Sequence, residues 1–163
     1  MPTKRDFLSV TDITPNETMR LLDRTRSGKT RSMVQFGGDK RGPLAGKSVA
    51  ILFDKPSLRT RVSFQVGIQE LGGYSVFLGQ EEVGLGKREP VSDVAQVLSG
   101  YVDCIVARLS DHQLLEDLAK YASVPVVNAL SDLEHPCQVM ADLLTIYEHK
   151  NDLEGLSLAY IGD

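Results

Sequence analysis

The strongest constraint on this chain is an alternation. Short apolar runs of strand length recur at 48–53 (SVAILF), 74–78 (YSVFL), 103–107 (DCIVA), 124–128 (VPVVN) and 157–161 (SLAYI), with helical-length segments at 60–71, 91–101, 111–121 and 136–149 between them. Nearly all-apolar strands separated by helices predict an α/β fold, with a parallel sheet of about four strands covered by helices on both faces. Right-handed crossovers follow. A further helix is expected at 14–26, where Thr14 caps, Pro15 takes the first helical position and Glu17 completes a capping box. Residues 35–46 (QFGGDKRGPLAG) read as a glycine-rich loop. The run at 157–161 is followed at once by Gly162-Asp163, which reads as the opening of a βα unit without its helix. The expected organisation is one domain over 1–150 and, over 151–163, a linker and the first strand of a second domain.

Composition narrows the partners. With 42% hydrophobic and 25% charged residues over 163 positions, the balance is that of an ordinary globular domain large enough for its own core. A net charge of −4 argues against a nucleic-acid partner held by bulk electrostatics, so any anion site must be local. The apolar runs are too short and interrupted to span a membrane, and the amino-terminal segment lacks a signal-peptide core. Cys104 and Cys137 have no paired spacing, which points to a reducing, cytoplasmic setting.

Ligands of open α/β sheets bind beyond the carboxyl ends of the strands, so the junctions that follow the strands carry the chemistry. The first, "ILFDKPSLRTRVSF" at 51–64, places Arg59 and Arg61 in the first turn of a helix, an end that already repels cations. A bound anion resolves the conflict. Ser57 caps the helix, the unpaired amides and the helix dipole attract phosphate, Arg59 adds a fork of donors, and Ser57 and Thr60 add hydroxyls. The alternative is a surface arginine cluster paired with acidic neighbours such as Asp54. At the second junction, "NALSDLEHPCQVMAD", His135-Pro136 opens a helix and Gln138 lies three residues on, on the same face. An imidazole there can hydrogen-bond a carbonyl oxygen beside a bound anion; the alternative is a capping or packing histidine. The third junction ends in Arg108. Three separate junctions delivering Arg59, Arg108 and His135 to one rim weigh more than any one of them.

Other signals fail. "SGKT" at 27–30 resembles the tail of a phosphate-binding loop, but Asp23 stands where the first glycine belongs and no strand precedes it. His135, Cys137 and Asp142 lack a structural zinc spacing, so no metal is expected, and His112 and His149 read as surface helix residues. The glycine-containing run "EEVGLGKREP" at 81–90 is a mobile functional loop or a solvated connection.

"FDKPSLRTRVSF" together with "NALSDLEHPCQVMADLLTIYEH" resembles the carbamoyl-phosphate domain of the transcarbamoylases, over nearly the whole chain, from "FLSVTDIT" through "GIQELGGYSVFL" to "AYIGD". Cys137, where the aspartate branch typically has threonine, and "LSDLE" in place of that branch's glycine-rich loop favour the ornithine branch. The resemblance implies that Ser57, Arg59, Thr60 and the backbone of Leu58 hold the phosphate of carbamoyl phosphate, that Arg108 reaches both phosphate and carbamoyl oxygen, that His135 with Thr60 and Arg108 polarises the carbonyl, and that Gln138 holds the carbamoyl amide. Arg59, Arg108, His135 and Gln138 would be the catalytic set, acting without metal or organic cofactor on carbamoyl phosphate and L-ornithine, the latter bound by a second domain. It also implies a homotrimer built through this domain. Two positions depart from the family pattern: Leu58 replaces the usual threonine, and Gly84 stands where relatives place a residue that reaches a neighbouring subunit's site, leaving Lys87 or Arg88 to compensate. Acceptors such as putrescine, an acylated ornithine or aspartate, and a non-catalytic anion-binding module, are the competing readings.

Overall fold

The computed structural model describes residues 4–30 and 42–161. Its elements run α1 (Pro15–Thr30), β1 (Ser48–Phe53), α2 (Leu58–Glu70), β2 (Tyr74–Gly79), α3 (Gln80–Val83), α4 (Val91–Ser99), β3 (Cys104–Arg108), α5 (His112–Tyr121), β4 (Val126–Leu130) and α6 (Pro136–Lys150). All four strands are parallel, in the order β2-β1-β3-β4. The expected α/β fold and its four-stranded parallel sheet are therefore present.

Alternation along the central strands builds two cores. Ala50 and Leu52 of β1 join Ile105 and Ala107 of β3, Val126 of β4, and Leu115 and Leu118 of α5 on one face. Val49, Ile51 and Phe53 join Val106, Ala129 and Ile68 of α2 on the other. Burying each large side chain stabilises the fold by roughly 1.5–3 kcal/mol, and Phe53 adds an edge-to-face contact with Phe77 at 5.4 Å between ring centroids. A third cluster, Leu22 with Met140 and Tyr147, fastens α1 to α6. There the Tyr147 hydroxyl donates to Asp23 Oδ1 at 2.8 Å and the Arg26 guanidinium lies 4.3 Å from the Tyr147 ring centroid. This contact anchors the helix whose first residues belong to the site. The capping box at Thr14 forms as expected, with Glu17 accepting from the Thr14 amide and hydroxyl.

Three expectations need correction. No strand forms at 157–161: Leu158, Tyr160 and Ile161 are exposed, and among the described residues no neighbouring strand supplies backbone partners. β4 starts and ends two residues later than expected, after Pro125, whose missing N–H cannot join the ladder. The segment "SGKT" is the last turn of α1, which outruns its expected end at residue 26. Of the glycine-rich loop expected at 35–46, residues 35–41 lie outside the described residues, as does the terminal Gly162-Asp163 pair.

Candidate functional site

β1 is followed by β2 on one side, and the chain then crosses to β3 on the other, so the topological switch point falls between β1 and β3. The carboxyl ends of these two strands deliver Ser57 to Thr60 and Arg108. At the first junction Ser57 occupies the cap position with extended backbone, but its hydroxyl does not cap the helix; it donates to Thr60 Oγ1 at 3.0 Å. The first amides of α2 therefore have neither an intrahelical partner nor a side-chain cap. That is the condition for anion binding at a helix start.

The two arginines of this turn part company. Arg61 lies 3.8 Å from the Phe77 ring centroid and donates through Nε to Gln65 Oε1 at 3.1 Å, a packing role. Arg59 is exposed and lines the cleft, and among the described residues it has no ion-pair partner. Asp54 does not neutralise it: the Asp54 carboxylate accepts from the Ser110 amide at 2.5 Å, and its own amide donates to the Arg108 carbonyl at 3.1 Å. The paired surface cluster weighed from the sequence is not what forms.

Arg108 reaches the same point from β3. Its guanidinium Nη1 donates to Thr60 Oγ1 at 2.9 Å, so Ser57, Thr60 and Arg108 form one chain of polar contacts. The β3–β4 register slips here: Ala107 faces Asn128, Arg108 faces Leu130, and Ala129 is the extra residue. Such a bulge re-aims the side chains at its end.

The third junction is set by buried polar bonds. Asn128, fully buried in β4, donates through Nδ2 to the Leu8 carbonyl at 2.9 Å and accepts the Leu130 amide on Oδ1 at 2.9 Å. The Cys137 thiol donates to the Asn128 carbonyl at 3.3 Å, and burial pushes it up to about 11, so it is an inert packing group. His135 caps α6 by accepting the Gln138 amide on Nδ1 at 3.3 Å. The proton of the neutral ring therefore sits on Nε2, leaving a hydrogen-bond donor. Burial, and after it the Arg108 charge, hold His135 below the usual imidazole value against a smaller opposing pull from Asp142. The capping role considered from sequence and the donor role are thus one arrangement. Gln138 donates through Nε2 to Asp142 Oδ1 at 2.9 Å.

Ser57, Arg59, Thr60, Arg108, His135 and Gln138 line a single cleft of about 600 Å³. Leu58 is not among the residues that line the cleft; it is 78% exposed. Ser63, Phe64 and Ala141 also line the cleft and escaped the sequence reading, although they lie three or four residues beyond Thr60 and Gln138, on the same helix faces. A smaller cavity of about 220 Å³ adjoins at Arg108 and includes Asp54, Lys55, Ser110, Ser131 and Asp132. Gly84, Lys87 and Arg88 do not line the cleft. Gly84 ends α3 at φ +66°, and a Cβ there would lie 2.8 Å from the Arg88 Cβ, so its glycine serves the turn. His149 is exposed as expected, whereas His112 is partly buried: its side chain is 16% exposed and its ring bonds Ser131. Among the described residues no group of three or more His, Cys, Asp or Glu side chains is placed to hold a metal ion, and no helix is long and apolar enough to cross a membrane.

Comparison with known proteins meets this geometry. The carbamoyl-phosphate-binding domain model of aspartate/ornithine carbamoyltransferases matches residues 5–148. Ornithine carbamoyltransferase of Anoxybacillus flavithermus is 48% identical over 159 residues, which is 98% of this chain and 50% of that protein. The Methanocaldococcus jannaschii ornithine carbamoyltransferase is 58% identical over 120 residues, 74% of this chain and 39% of that protein. The crystal structure of ornithine carbamoyltransferase from Thermus thermophilus superimposes with a TM-score of 0.83 at 46% identity, covering 93% of this chain and 51% of that one. The chain spans about half the length of the curated relatives it matches. On fold, motif residues and sequence together, it belongs to the aspartate/ornithine carbamoyltransferase family and carries that family's carbamoyl-phosphate-binding domain.

Proposed function

We propose that this chain binds carbamoyl phosphate in the switch-point cleft, and that the whole protein transfers the carbamoyl group to the δ-amine of L-ornithine, giving L-citrulline and phosphate. The observation that carries the reading is the convergence of Ser57, Arg59, Thr60, Arg108, His135 and Gln138 on one cleft. In this reading the free amides of Leu58 to Thr60, the Ser57 and Thr60 hydroxyls and the Arg59 fork hold the phosphate. Arg108 spans phosphate and carbamoyl oxygen, the Nε2–H of neutral His135 donates to the carbonyl oxygen, and Gln138 orients the carbamoyl amide.

The neutral δ-amine attacks the carbonyl carbon. As the C–N bond forms, the carbonyl electron pair moves to oxygen, where His135, Thr60 and Arg108 stabilise it. Collapse of the tetrahedral intermediate breaks the bond to phosphate, and the charge leaves with the phosphate into the amide and arginine cradle. Donors fixed in advance at the developing charge are each worth about 2.7–4 kcal/mol of barrier. Holding amine and carbonyl in line adds to this. The reaction so drawn uses no metal or organic cofactor.

The ornithine-binding half lies beyond residue 150 in this reading, with 151–163 leading into it. The acceptor is ornithine rather than putrescine, an acylated ornithine or aspartate, supported by the names of the relatives and by Cys137. A homotrimer fits the outward stripe of Leu58, Val62 and Val66 along α2, all exposed apolar side chains at helical spacing. The loop holding Gly84, Lys87 and Arg88 is the segment offered to a neighbour. Two free cysteines agree with a cytoplasmic protein, and the product with a place in arginine biosynthesis.

Calorimetric titration of the chain with carbamoyl phosphate, with inorganic phosphate as the control, tests the reading. Saturable binding tighter than that of phosphate supports it. Equal affinities for the two would leave an anion-binding module without carbamoyl recognition.

A further inference from the structure

We propose that His112, at the first position of α5, is a positioning residue for His135; the proposal rests on the carbamoyl-phosphate reading for its functional consequence but not for its structural one. His112 grips the 131–134 loop twice. Its backbone amide donates to Asp132 Oδ1 at 2.9 Å, and its ring Nδ1 lies 2.8 Å from Ser131 Oγ. Ser131 is buried, and it is the hub of the loop. Its Oγ receives the Glu134 amide at 3.3 Å and Asn128 Nδ2 at 3.4 Å, while its own amide donates to the Glu134 carbonyl at 3.0 Å. Glu134 directly precedes His135, so the loop that sets the capping geometry of His135 is fastened to a different βα unit through His112.

A hydroxyl has one proton and two lone pairs. The Ser131 hydroxyl proton has two acceptors within reach, the Glu134 carbonyl at 3.3 Å and His112 Nδ1 at 2.8 Å, the shortest of its contacts, so Nδ1 accepts from Ser131 in one tautomer and donates to it in the other. The far ring nitrogen, Nε2, lies 3.9 Å from Glu116 Oε1. The function required of the residue is a hydrogen-bonding atom one bond from its Cγ. Asparagine, with Oδ1 and Nδ2, keeps such an atom in either role; glutamine and alanine do not.

The test compares the chain with its His112→Ala, His112→Asn and Asp132→Ala variants. Long-range proton–nitrogen NMR spectra report the tautomer of His135, one of only three histidines in the sequence. The expected result is a fixed Nε2–H tautomer of His135 in the parent and in His112→Asn, and averaged tautomers in His112→Ala. Carbamoyl-phosphate affinity should fall about two- to tenfold in His112→Ala, the worth of one hydrogen bond, and recover in His112→Asn. If His112→Ala lowers the melting temperature but leaves the His135 ring signals and the affinity unchanged, the residue is structural only and the proposal fails. Should His112→Ala not fold, Asp132→Ala, at an exposed position, loosens the other half of the grip; unchanged His135 signals there also overturn the proposal. Absence of carbamoyl-phosphate binding by the parent chain would defeat the functional reading alone, because the His135 ring signals need no ligand.

Discussion

Arg59→Ala separates a binding arginine from a structural one. Arg59 is exposed, lines the cleft, and among the described residues has no ion-pair partner, so its removal breaks no contact of the fold. It also deletes a positive charge from a helix amino end, which is worth roughly 0.3–1 kcal/mol in the stabilising direction. Bound phosphate would lose a charge-assisted hydrogen bond of about 1.5–3 kcal/mol, which weakens carbamoyl phosphate about 10- to 150-fold. Arg61→Ala, two residues on, should do the opposite. It loses the stack on Phe77 and the bond to Gln65, about 0.5–1 kcal/mol of stability, and leaves affinity within twofold. Isothermal calorimetry gives the affinities and urea denaturation the stabilities. Destabilisation of Arg59→Ala by more than about 1 kcal/mol with unchanged affinity would refute the reasoning, since it would show that Arg59 holds the fold and not the ligand.

Three further outcomes follow from single groups. His135 should titrate by NMR with a midpoint below the ordinary imidazole value of about 6.5, because burial and Arg108 disfavour its charged form. The folded state then binds fewer protons than the unfolded one, so the stability it contributes is present above the unfolded value and is lost as pH falls through the window below it; a midpoint above 6.5 would reverse that sign. Gly84→Ala places a Cβ at φ +66° against Arg88 and should cost about 1–2 kcal/mol, seen as faster proteolysis at 80–90 with the cleft intact. Asn128→Ala strips the bonds to Leu8 and Leu130 from a fully buried site and should destabilise by about 2–4 kcal/mol in urea, with weakened carbamoyl-phosphate binding because the 131–135 loop loses its anchor.

How much of this was legible in the chain follows from where each constraint is written. Strands buried on both faces must be apolar throughout, so β1 and β3 stand out within one residue, and β2, a half-exposed edge strand, stands out by its apolar run alone. The residues that line the cleft were readable because they sit at strand ends, where polar types interrupt apolar runs: Ser57, Arg59 and Thr60 after β1, Arg108 at the end of β3, His135 and Gln138 after β4. Contacts between distant segments were not readable. Nothing local in "SDHQLL" says that His112 meets Ser131, nineteen residues on. The β3–β4 register slip depends on both strands at once. The run at 157–161 has strand composition, yet a strand exists only where another offers its backbone groups. Gly84 has a positive φ, a role the sequence reading did not assign it.

The positive charge at the start of α2 also follows from the assembled site. Arg59 is solvated, so its repulsion from the helix end is weak, about 1 kcal/mol for full charges at 4 Å in water and less for the half charge of a dipole. Arg108 is held nearer, by Thr60, and its charge acts on His135 through partly buried surroundings. In the proposed reading the same cation does two things: it attracts an anion to the amides of α2 and, second to burial, it disfavours the charged imidazole, so that Nε2 remains a donor. A carboxylate placed to neutralise Arg108 would raise the imidazole and quench the anion site together. Asp54, at the end of the neighbouring strand, is engaged with the Ser110 amide. In the proposed chemistry the positive charge at this rim is a requirement, and the fold tolerates it because the first amides of α2, left without an intrahelical partner or a side-chain cap, await the opposite charge.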